Sequence, residues 1–285
     1  MKRKEIDRIV LQALNEDASH NDITTNALVA RNAVAQGYIV FQEKGILCGL
    51  EFVRRVFRQL DKAVKIYSPF KDGDDIPKNS KIIFLKGKTR VLLTGERTAL
   101  NFLGYLSGIA TQTHHFVQKI QPLKTKILDT RKTTPTLRRL EKYAVQCGGG
   151  VNHRFGLNEM IFIKDNHRPR GGLSRWFPQP QMIRDLKKKI KKPIEIEVDN
   201  LEQFKQALAA CPDVILLDNM SVRQMRKAVA LVKKIKPRQR PLLEASGGVT
   251  LRTVRAIARS GVDRISIGAL THHHRAIHVS MEINQ

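Results

Sequence analysis

Short apolar stretches alternate with longer amphipathic ones from residue 126 to residue 267, and this rhythm restricts the fold more than any other feature of the chain. The short stretches predict buried strands, and the longer ones, with apolar residues at helical spacing, predict helices. The predicted strands are 126–129, 160–164, 194–198, 214–217, 242–244 and 264–267. The predicted helices are 135–146, 179–191, 201–210, 221–234 and 250–260. Such alternation indicates parallel strands joined by crossover helices.

Functional groups follow nearly every predicted strand, and they favour one of the two folds that share this rhythm. An open, doubly wound sheet would scatter its strand ends, whereas a barrel gathers them on one rim. No Gly-x-Gly-x-x-Gly follows a strand, which disfavours a dinucleotide-binding sheet. The groups at the strand ends are Asp129, Arg131, Lys132, Lys164, Glu197, Asp199, Asp218, Asn219, Glu244, Ser246 and Gly268. We therefore predict an α/β fold with a TIM-like α/β barrel.

A different pattern precedes the barrel and predicts a separate α+β domain. Between residues 33 and 88, short alternating stretches are interrupted by glycine and proline, with a helix at 51–60. This is typical of an antiparallel sheet with a helix on one face. A long helix is predicted to start at Thr94, and its small residues within 104–111 are suited to close helix packing and to a bridge between two domains.

The N-terminal region is amphipathic rather than apolar. Residues 1–14 have an apolar helical face, and Asp22 or Thr24 is suited to cap a short helix that starts at Asn26. The apolar centre of a signal peptide is missing from this region. No apolar run reaches the roughly 18 residues that span a bilayer. The three cysteines, Cys48, Cys147 and Cys211, are far apart and lack Cys-x-x-Cys spacing, so we expect free thiols and a cytoplasmic location.

The formal net charge of +25 fits a nucleic-acid partner, an anionic surface or a phosphorylated substrate. Basic residues cluster at 187–192 and 233–240, beside prolines near the ends of predicted surface helices. We interpret both clusters as solvated helix ends rather than as a nucleic-acid groove. Aromatic residues make up only 6% of the chain and do not lie among the basic runs, which disfavours a base-stacking surface.

Two predicted buried strands lead directly into cations. The first runs into Arg131 and Lys132, the second runs into Lys164, and His153 and Arg154 lie between them in the sequence. Cations at such positions are costly in a core, but they are useful in a site that binds a multiply charged anion.

Three carboxylates alternate along one predicted strand. Glu195, Glu197 and Asp199 share a face because side chains alternate along a strand. In a barrel this face points inward, where the carboxylates need cationic partners such as the three at the strand ends. Carboxylates at the rim also suit sugar hydroxyls or magnesium. The alternative is an edge strand with a solvated face.

Glycines follow the last two predicted strands and suggest a phosphate site. Ser246, Gly247 and Gly248 follow the strand at 242–244, and a helix is predicted immediately afterwards. Gly268 ends the next strand. Glycines beside a helix N-terminus expose backbone N–H groups to an anion, and barrels often hold phosphate in their last two loops. A tight turn that serves only packing is the alternative.

Three other features are weak signals. The glycines at 148–150 lack the Lys-Ser/Thr of a P-loop, so we expect them to turn the chain and place His153 and Arg154 at the rim. Cys147 suggests a Cys–His nucleophile, but no third orienting residue is evident. In the histidine run 272–274, adjacent residues do not face one site, so at most one is expected inside.

Nine strings of the sequence together resemble the quinolinate phosphoribosyltransferases, a type II phosphoribosyltransferase family also called carboxylating nicotinate-nucleotide pyrophosphorylases. In chain order they are EDASHNDITT, ERTALNFLGYLSGIAT, ILDTRKTTP, EKYAVQCGGGVNHRFGL, IFIKDNH, EIEVDNLEQ, VILLDNM, EASGGV and SIGALTH. They extend over nearly the whole chain. Each string alone is weak, but the ordered set is specific.

The resemblance implies a subunit of two domains. Residues 1–110, joined by the tail 273–285, would form an N-terminal α/β sandwich, and residues 111–272 would form the barrel. The family forms dimers, sometimes within larger assemblies, and the N-terminal domain of the neighbouring subunit closes each site. The implied reaction, in NAD synthesis, converts quinolinate and phosphoribosyl pyrophosphate into nicotinate mononucleotide, pyrophosphate and carbon dioxide, with Mg²⁺.

The resemblance also implies residue roles. Arg97 would reach the site from the partner subunit. Quinolinate and pyrophosphate would be held by Thr130, Arg131, Lys132, His153, Arg154 and Lys164. Glu197 and Asp218 would bind the ribose hydroxyls and the Mg²⁺ carried by phosphoribosyl pyrophosphate, and the catalytic set would be Lys132, Lys164, Glu197 and Asp218. The 5′-phosphate would be received by Ser246, Gly247, Gly248, Gly268 and His272.

Two alternatives stay open at this point. A sister family associated with molybdenum-transport operons shares much of the pattern, although the complete set of cations favours quinolinate by what the resemblance implies. A basic RNA-binding protein on the same scaffold would show steeply salt-dependent polynucleotide binding and no turnover. The charged strand ends argue against that alternative. Thr136 stands where the family usually has glycine, and it affects no residue assigned to chemistry.

Overall fold

The structure, a computed structural model, describes residues 3–167 and 178–284, and the chain divides into two compact units. The first unit comprises Met1–His114, Pro135–Gly149 and His273–Gln285, and the second comprises His115–Thr134 and Gly150–His272. The predicted division at residue 110 differs from this in one main respect. The segment 135–149, predicted as part of the barrel domain, belongs to the first unit.

The described residues form twelve strands and ten α-helices. The strands are β1 (Val34–Phe41), β2 (Gly45–Ile46), β3 (Lys65–Tyr67), β4 (Asp75–Ile76), β5 (Ser80–Lys88), β6 (Lys126–Leu128), β7 (Ile161–Ile163), β8 (Ile194–Val198), β9 (Val214–Asp218), β10 (Leu242–Ser246), β11 (Arg264–Ser266) and β12 (Val279–Asn284). The helices are α1 (Arg3–Glu16), α2 (Ile23–Leu28), α3 (Leu50–Leu60), α4 (Thr89–Ile120), α5 (Arg138–Cys147), α6 (Pro180–Ile190), α7 (Leu201–Ala210), α8 (Val222–Lys233), α9 (Val254–Ala258) and α10 (Ala269–His272). None of these helices combines the length and the apolar character needed to cross a membrane.

The main sheet of the first unit is antiparallel, with strand order β12-β1-β5-β3. Along β1, buried and more exposed positions alternate, which is the pattern of a sheet with one covered face. The α3 helix buries Phe52, Val53, Val56 and Phe57 at helical spacing. The predicted α+β organisation is therefore confirmed, and the last strand of the chain forms one edge of the sheet.

Asp22 caps α2, as predicted, but the helix begins at Ile23 rather than at Asn26. One carboxylate oxygen of Asp22 accepts from the backbone N–H of Thr25 at 2.9 Å, and the other accepts from Thr94 Oγ1 at 2.9 Å. These bonds hold the pKa of Asp22 below its ordinary value. The Asp22 side chain therefore satisfies an end of α2 and also ties it to α4.

The α4 helix begins at Thr89, five positions before the predicted start at Thr94. No glycine or proline separates it from β5, so the strand continues directly into the helix. Arg90 in its first turn donates to the backbone oxygen of Val29. Thr94 is thus an interior residue bound to Asp22, and the prediction that it starts the helix was wrong.

The small residues of α4 contact the C-terminal segment and the β2 region rather than another helix. A Cβ atom at Gly108 would overlap the backbone oxygen of Arg275, and one at Gly104 would lie 2.8 Å from that of Ile277. The backbone N–H of Ile277 donates to the Gly104 oxygen at 3.0 Å. The small residues do allow close packing, but the partner is an extended segment, so the predicted packing against a helix was wrong.

The second unit contains a six-stranded parallel sheet, with order β6-β11-β10-β9-β8-β7. All six predicted strands are present, within one or two residues of the predicted bounds. Val151 continues the sheet beside β6, because its N–H donates to Ile127 and its oxygen accepts from Asp129. Glu195 on β8 and Glu244 on β10 both contact His153, which lies two residues after Val151. The sheet therefore curls, as a TIM-like α/β fold requires.

Helices α6, α7 and α8 agree with prediction, whereas α5 and α9 are shorter. α5 begins at Arg138 instead of residue 135. α9 contains only Val254–Ala258, because residues before it form a turn in which Thr250 and Thr253 bond to each other. The prediction that a helix follows Gly248 immediately was therefore wrong.

We predict that Gly108→Ala lowers the free energy of unfolding by about 1–3 kcal/mol, because the new methyl group would overlap the Arg275 backbone. The denaturation midpoint in urea measures this. Asn101→Ala, at an exposed position of the same helix, serves as the control and should change stability by no more than about 0.5 kcal/mol. A Gly108→Ala variant as stable as the wild type would contradict the close contact.

Candidate active site

The carboxyl ends of the parallel strands surround a cavity of about 750 Å³ in the second unit. The structure brings together here every residue to which the resemblance gave a binding role, except Arg97. Those lining the cavity are Thr130, Arg131, Lys132, His153, Arg154, Lys164, Glu197, Asp218, Ser246, Gly247, Gly248, Gly268 and His272. Arg97 is an exposed residue of α4 in the first unit.

The loop after β6 supplies the cations Arg131 and Lys132, and hydrogen bonds fix the main chain of Lys132. The backbone oxygen of Lys132 accepts from Thr271 Oγ1 at 2.6 Å, and its N–H donates to Thr130 Oγ1 at 3.0 Å. A Cβ atom at Gly268 would lie 3.0 Å from Cδ of Lys132. The glycine therefore leaves room for the lysine side chain to run along the end of β11.

Two cations contact the aromatic ring of Phe162 on β7. The Arg154 guanidinium lies 4.7 Å from the ring centroid and the Lys164 Nζ lies 4.4 Å from it. The pKa of Arg154 is lowered, first by partial burial and then by the neighbouring charge of Arg131. Crowded cations of this kind favour the binding of an anion, because it relieves their repulsion. Sequence reasoning missed Phe162, which is flanked by isoleucines and so has the pattern of a core residue.

Two carboxylates line the cavity from adjacent strands. Glu197 on β8 pairs with Lys164, with Nζ 2.7 Å from Oε2, so the predicted partnership of an inward carboxylate with this lysine is confirmed. Asp218 ends β9 and accepts from the Asn219 side chain at 3.0 Å. Asp199 lies beyond the end of β8 and is exposed, so its predicted inward orientation was wrong.

His153 lies against two buried carboxylates in the interior of the curled sheet. Its Nε2 is 3.1 Å from Oε2 of Glu195 and 3.3 Å from Oε1 of Glu244. Both glutamates are completely buried. On the other side of Glu244, Arg264 Nε lies 3.5 Å from Oε2. We call His153, Glu195, Glu244 and Arg264 the buried charge cluster.

The other polar atoms of His153 are also engaged. Its backbone N–H donates to Oδ1 of the buried Asp129 at 2.8 Å, and its Nδ1 accepts from the backbone N–H of Arg154 at 2.7 Å. His153 thus fixes the main chain of Arg154, a cation of the cavity.

Within the buried charge cluster, the pKa values of His153 and Glu195 are both raised. Burial by itself would lower the pKa of His153, but Glu195 and Glu244 raise it to about 9. Burial also raises the pKa of Glu195, and the charge of Glu244 adds to that effect.

The loop after β10 takes a backbone conformation that glycine favours. Gly247 has φ 90° and Gly248 has φ 59°, in the left-handed region where a Cβ atom is strained. A side chain at Gly247 would also overlap the amide of Asn219. Because α9 starts only at Val254, the N–H groups available to an anion here come from the glycine loop and not from a helix end.

Of the histidine run, only His272 lies among the described residues that line the cavity. His274 belongs to the first unit, where its ring meets Tyr105 edge-on at 4.7 Å. This agrees with the expectation that adjacent histidines do not share a site.

Two family models together match nearly the whole chain. The quinolinate phosphoribosyl transferase N-terminal domain matches residues 22–107, and the C-terminal domain of the same family matches residues 109–282. The chain belongs to the quinolinate phosphoribosyl transferase family.

Full-length relatives support this assignment. The probable nicotinate-nucleotide pyrophosphorylase [carboxylating] of Methanocaldococcus jannaschii is 36% identical over 282 residues, covering 97% of this chain and 96% of the relative. The solved nicotinate-nucleotide pyrophosphorylase from Francisella tularensis is 39% identical, with a TM-score of 0.90 and coverage of 100% and 98%. NadC from Streptococcus pyogenes is 37% identical, with a TM-score of 0.91 and the same coverage.

We predict that His153→Ala lowers the free energy of unfolding by about 3–5 kcal/mol, because two buried carboxylates lose their common partner. Chemical denaturation measures the loss. Adding Glu195→Gln to this variant should restore part of it, since one uncompensated charge is removed. Glu202→Gln, an exposed substitution on α7, should restore nothing. Equal stability of His153→Ala and the wild type would contradict the pairing.

Proposed function

We propose that the protein catalyses the carboxylating nicotinate-nucleotide pyrophosphorylase reaction. It transfers the phosphoribosyl group of phosphoribosyl pyrophosphate to quinolinate, and it releases pyrophosphate and carbon dioxide to give nicotinate mononucleotide for NAD synthesis. The observation that carries this proposal is the cavity at the strand ends, where cations, two carboxylates and a glycine loop converge in a chain of this family.

The cations suit a pyridine dicarboxylate and a pyrophosphate. Quinolinate is a dianion, and the sugar donor is more highly charged. We assign the quinolinate carboxylates to Arg131, Arg154 and Lys164. The two guanidinium groups bind carboxylates through paired N–H groups, and the lysine ammonium binds them as a point charge. Lys132 and Lys164 then face the leaving pyrophosphate. His153 contributes by holding the main chain of Arg154.

The two carboxylates suit the ribose and a divalent ion. Glu197 and Asp218 stand on adjacent strands at the cavity wall, and oxygen ligands of this type, together with phosphate oxygens, are those that Mg²⁺ prefers. We therefore assign to them the ribose hydroxyls and the Mg²⁺ carried by phosphoribosyl pyrophosphate. When bound, this ion would neutralise charge on the pyrophosphate.

The glycine loop suits the 5′-phosphate. Ser246, Gly247 and Gly248 follow β10, and Gly268 and His272 follow β11, so backbone N–H groups, a hydroxyl and an imidazole line one end of the cavity. Barrels commonly hold phosphate in loops that follow their last strands. The turn at 250–253 replaces the helix end that sequence reasoning had expected there.

The reaction depends on the positioning of the two substrates and does not need a nucleophile from the protein. As pyrophosphate leaves, positive charge develops on the anomeric carbon, and Glu197 and Asp218 are placed to stabilise it. Bringing two anions together is the main barrier, which the cations lower by neutralisation and the cavity lowers by orientation. Decarboxylation then follows on the pyridine ring and needs no covalent bond to the protein.

We also propose that the protein works in the cytoplasm as a homodimer in which Arg97 enters the cavity of the partner subunit. The exposed position of Arg97 on α4 supports this assignment, because the side chain is accessible to a second copy.

We predict that Arg131→Ala lowers kcat/KM for quinolinate roughly 100-fold, because a charged hydrogen bond to the substrate is lost. Formation of nicotinate mononucleotide, followed by chromatography, measures the rate. Arg223→Ala, an exposed arginine of α8 outside the cavity, is the matched control and should retain wild-type turnover. A wild type that neither turns over nor binds quinolinate would refute the proposed reaction.

We predict that Arg97→Ala and Arg131→Ala are each almost inactive but complement each other in mixed dimers. A dimer of the two variants has one cavity with both arginines, so random pairing should restore about one quarter of wild-type turnover. Co-expression followed by the same assay tests this. The control pair, Arg131→Ala with Lys132→Ala, should show no recovery because both residues line the cavity of their own subunit. No recovery in the first pair would contradict the role of Arg97.

A further inference from the structure

Two cysteines that are distant in the sequence meet in the first unit. Cys48 lies between β2 and α3, and Cys147 is the last residue of α5. Their sulfur atoms lie within 4.8 Å of each other and of a carboxylate oxygen of Asp72. Both are free thiols. Sequence spacing gave no sign of this pair, which has no role in the proposed reaction.

The main chain is held on both sides of the pair. The N–H of Cys48 donates to Ser107 Oγ at 3.0 Å, and the same hydroxyl donates back to the Cys48 oxygen at 3.1 Å. Beside Cys147, a Cβ atom at Gly148 would overlap the backbone oxygen of Ala110. The backbones beside both sulfur atoms are therefore held in place.

The two thiols differ in pKa and in solvent exposure. The neighbouring Cys48 thiol lowers the pKa of Cys147. Burial raises the pKa of Cys48 well above its ordinary value. Cys147 is partly exposed, whereas Cys48 is completely buried. The accessible sulfur is thus the better nucleophile, and the buried one lies behind it.

The Asp72 carboxylate already accepts three hydrogen bonds, which favours a reaction between the two thiols over the binding of a metal ion at this cluster. Its Oδ1 accepts from the N–H groups of Gly49 and Leu50 at 3.1 Å each, where it caps α3, and its Oδ2 accepts from Tyr143 at 2.7 Å. A metal ion would have to compete with these three donors for the carboxylate.

We propose that Cys48 and Cys147 are a redox modification site that closes to an intramolecular disulfide when the protein meets a two-electron thiol oxidant such as hydrogen peroxide. The Cys147 thiolate attacks one peroxide oxygen, the O–O bond breaks, and the leaving hydroxide takes a proton to form water. The Cys48 sulfur then attacks the sulfenic sulfur, the S–O bond breaks, and a second water leaves with the Cys48 proton. Two thiols are oxidised and one peroxide is reduced to two waters.

The disulfide would tie the end of α5 to the loop before α3. Cys147 directly precedes the glycines at 148–150, through which the chain passes to Val151 and His153. Oxidation would therefore anchor Cys147 covalently at the start of the segment that leads to His153, and reduction would release it.

The test uses the purified full-length protein, reduced and then freed of reductant. After treatment with hydrogen peroxide, intact mass spectrometry should show the loss of two hydrogens, and one of the three thiols should remain titratable. Digestion should give a peptide cross-linked between Cys48 and Cys147, and dithiothreitol should reverse the change. The matched control Cys211→Ser, at the exposed third cysteine, should behave like the wild type apart from its missing thiol.

Cys48→Ser and Cys147→Ser should each abolish the loss of two hydrogens, and circular dichroism on the same samples checks that they are folded. If Cys48→Ser does not fold, Cys147→Ser together with the cross-linked peptide decides the question. Addition of oxygen without a cross-link, a disulfide that includes Cys211, or a cross-link between two chains would overturn the proposal. None of these measurements requires turnover, so the result is independent of the proposed reaction.

Discussion

The contact of His153 with Glu195 and Glu244 joins the segment that carries Arg154 to two strands of the curled sheet. A lone carboxylate in that interior would cost several kcal/mol, and two would cost more. The imidazole reduces this cost only in the position where its Nε2 lies against both carboxylates. The position of His153, and with it the backbone of Arg154, is therefore fixed by the need to compensate buried charge.

The fold was largely predictable because its strongest signals are local. Most strands of the parallel sheet are short apolar runs, and β8 alternates between apolar residues and glutamates. Each crossover helix has an apolar face, so residues 126–267 could be divided without knowledge of the contacts. Two of the errors lie where a tertiary contact decided the outcome. Thr94 carried the signature of a helix start, but its hydroxyl bonds to Asp22 inside a longer helix. The partner of the α4 glycines, the extended segment at 275–277, could not be read from residues so far apart.

Most of the residues that line the cavity could be predicted, but the contacts among them could be predicted less well. Parallel strands deliver their carboxyl ends to one rim, and the strand-end cations followed from that rule. Phe162 was missed because an aromatic residue between isoleucines looks the same whether it faces a core or a cation. Glu195 was expected to meet arginine or lysine, but it meets His153, since only the curl of the sheet determines which cation reaches which strand.

The pairing of β12 with β1 has a consequence for how the chain is made. The first unit needs residues from the C-terminal segment both for the edge of its sheet and for the surface against the α4 glycines. A ribosome delivers those residues after the entire parallel sheet has been synthesised. The β1 edge and the two glycines of α4 therefore stay uncovered until this segment has left the ribosome, so the part of the protein that emerges first cannot be completed before then.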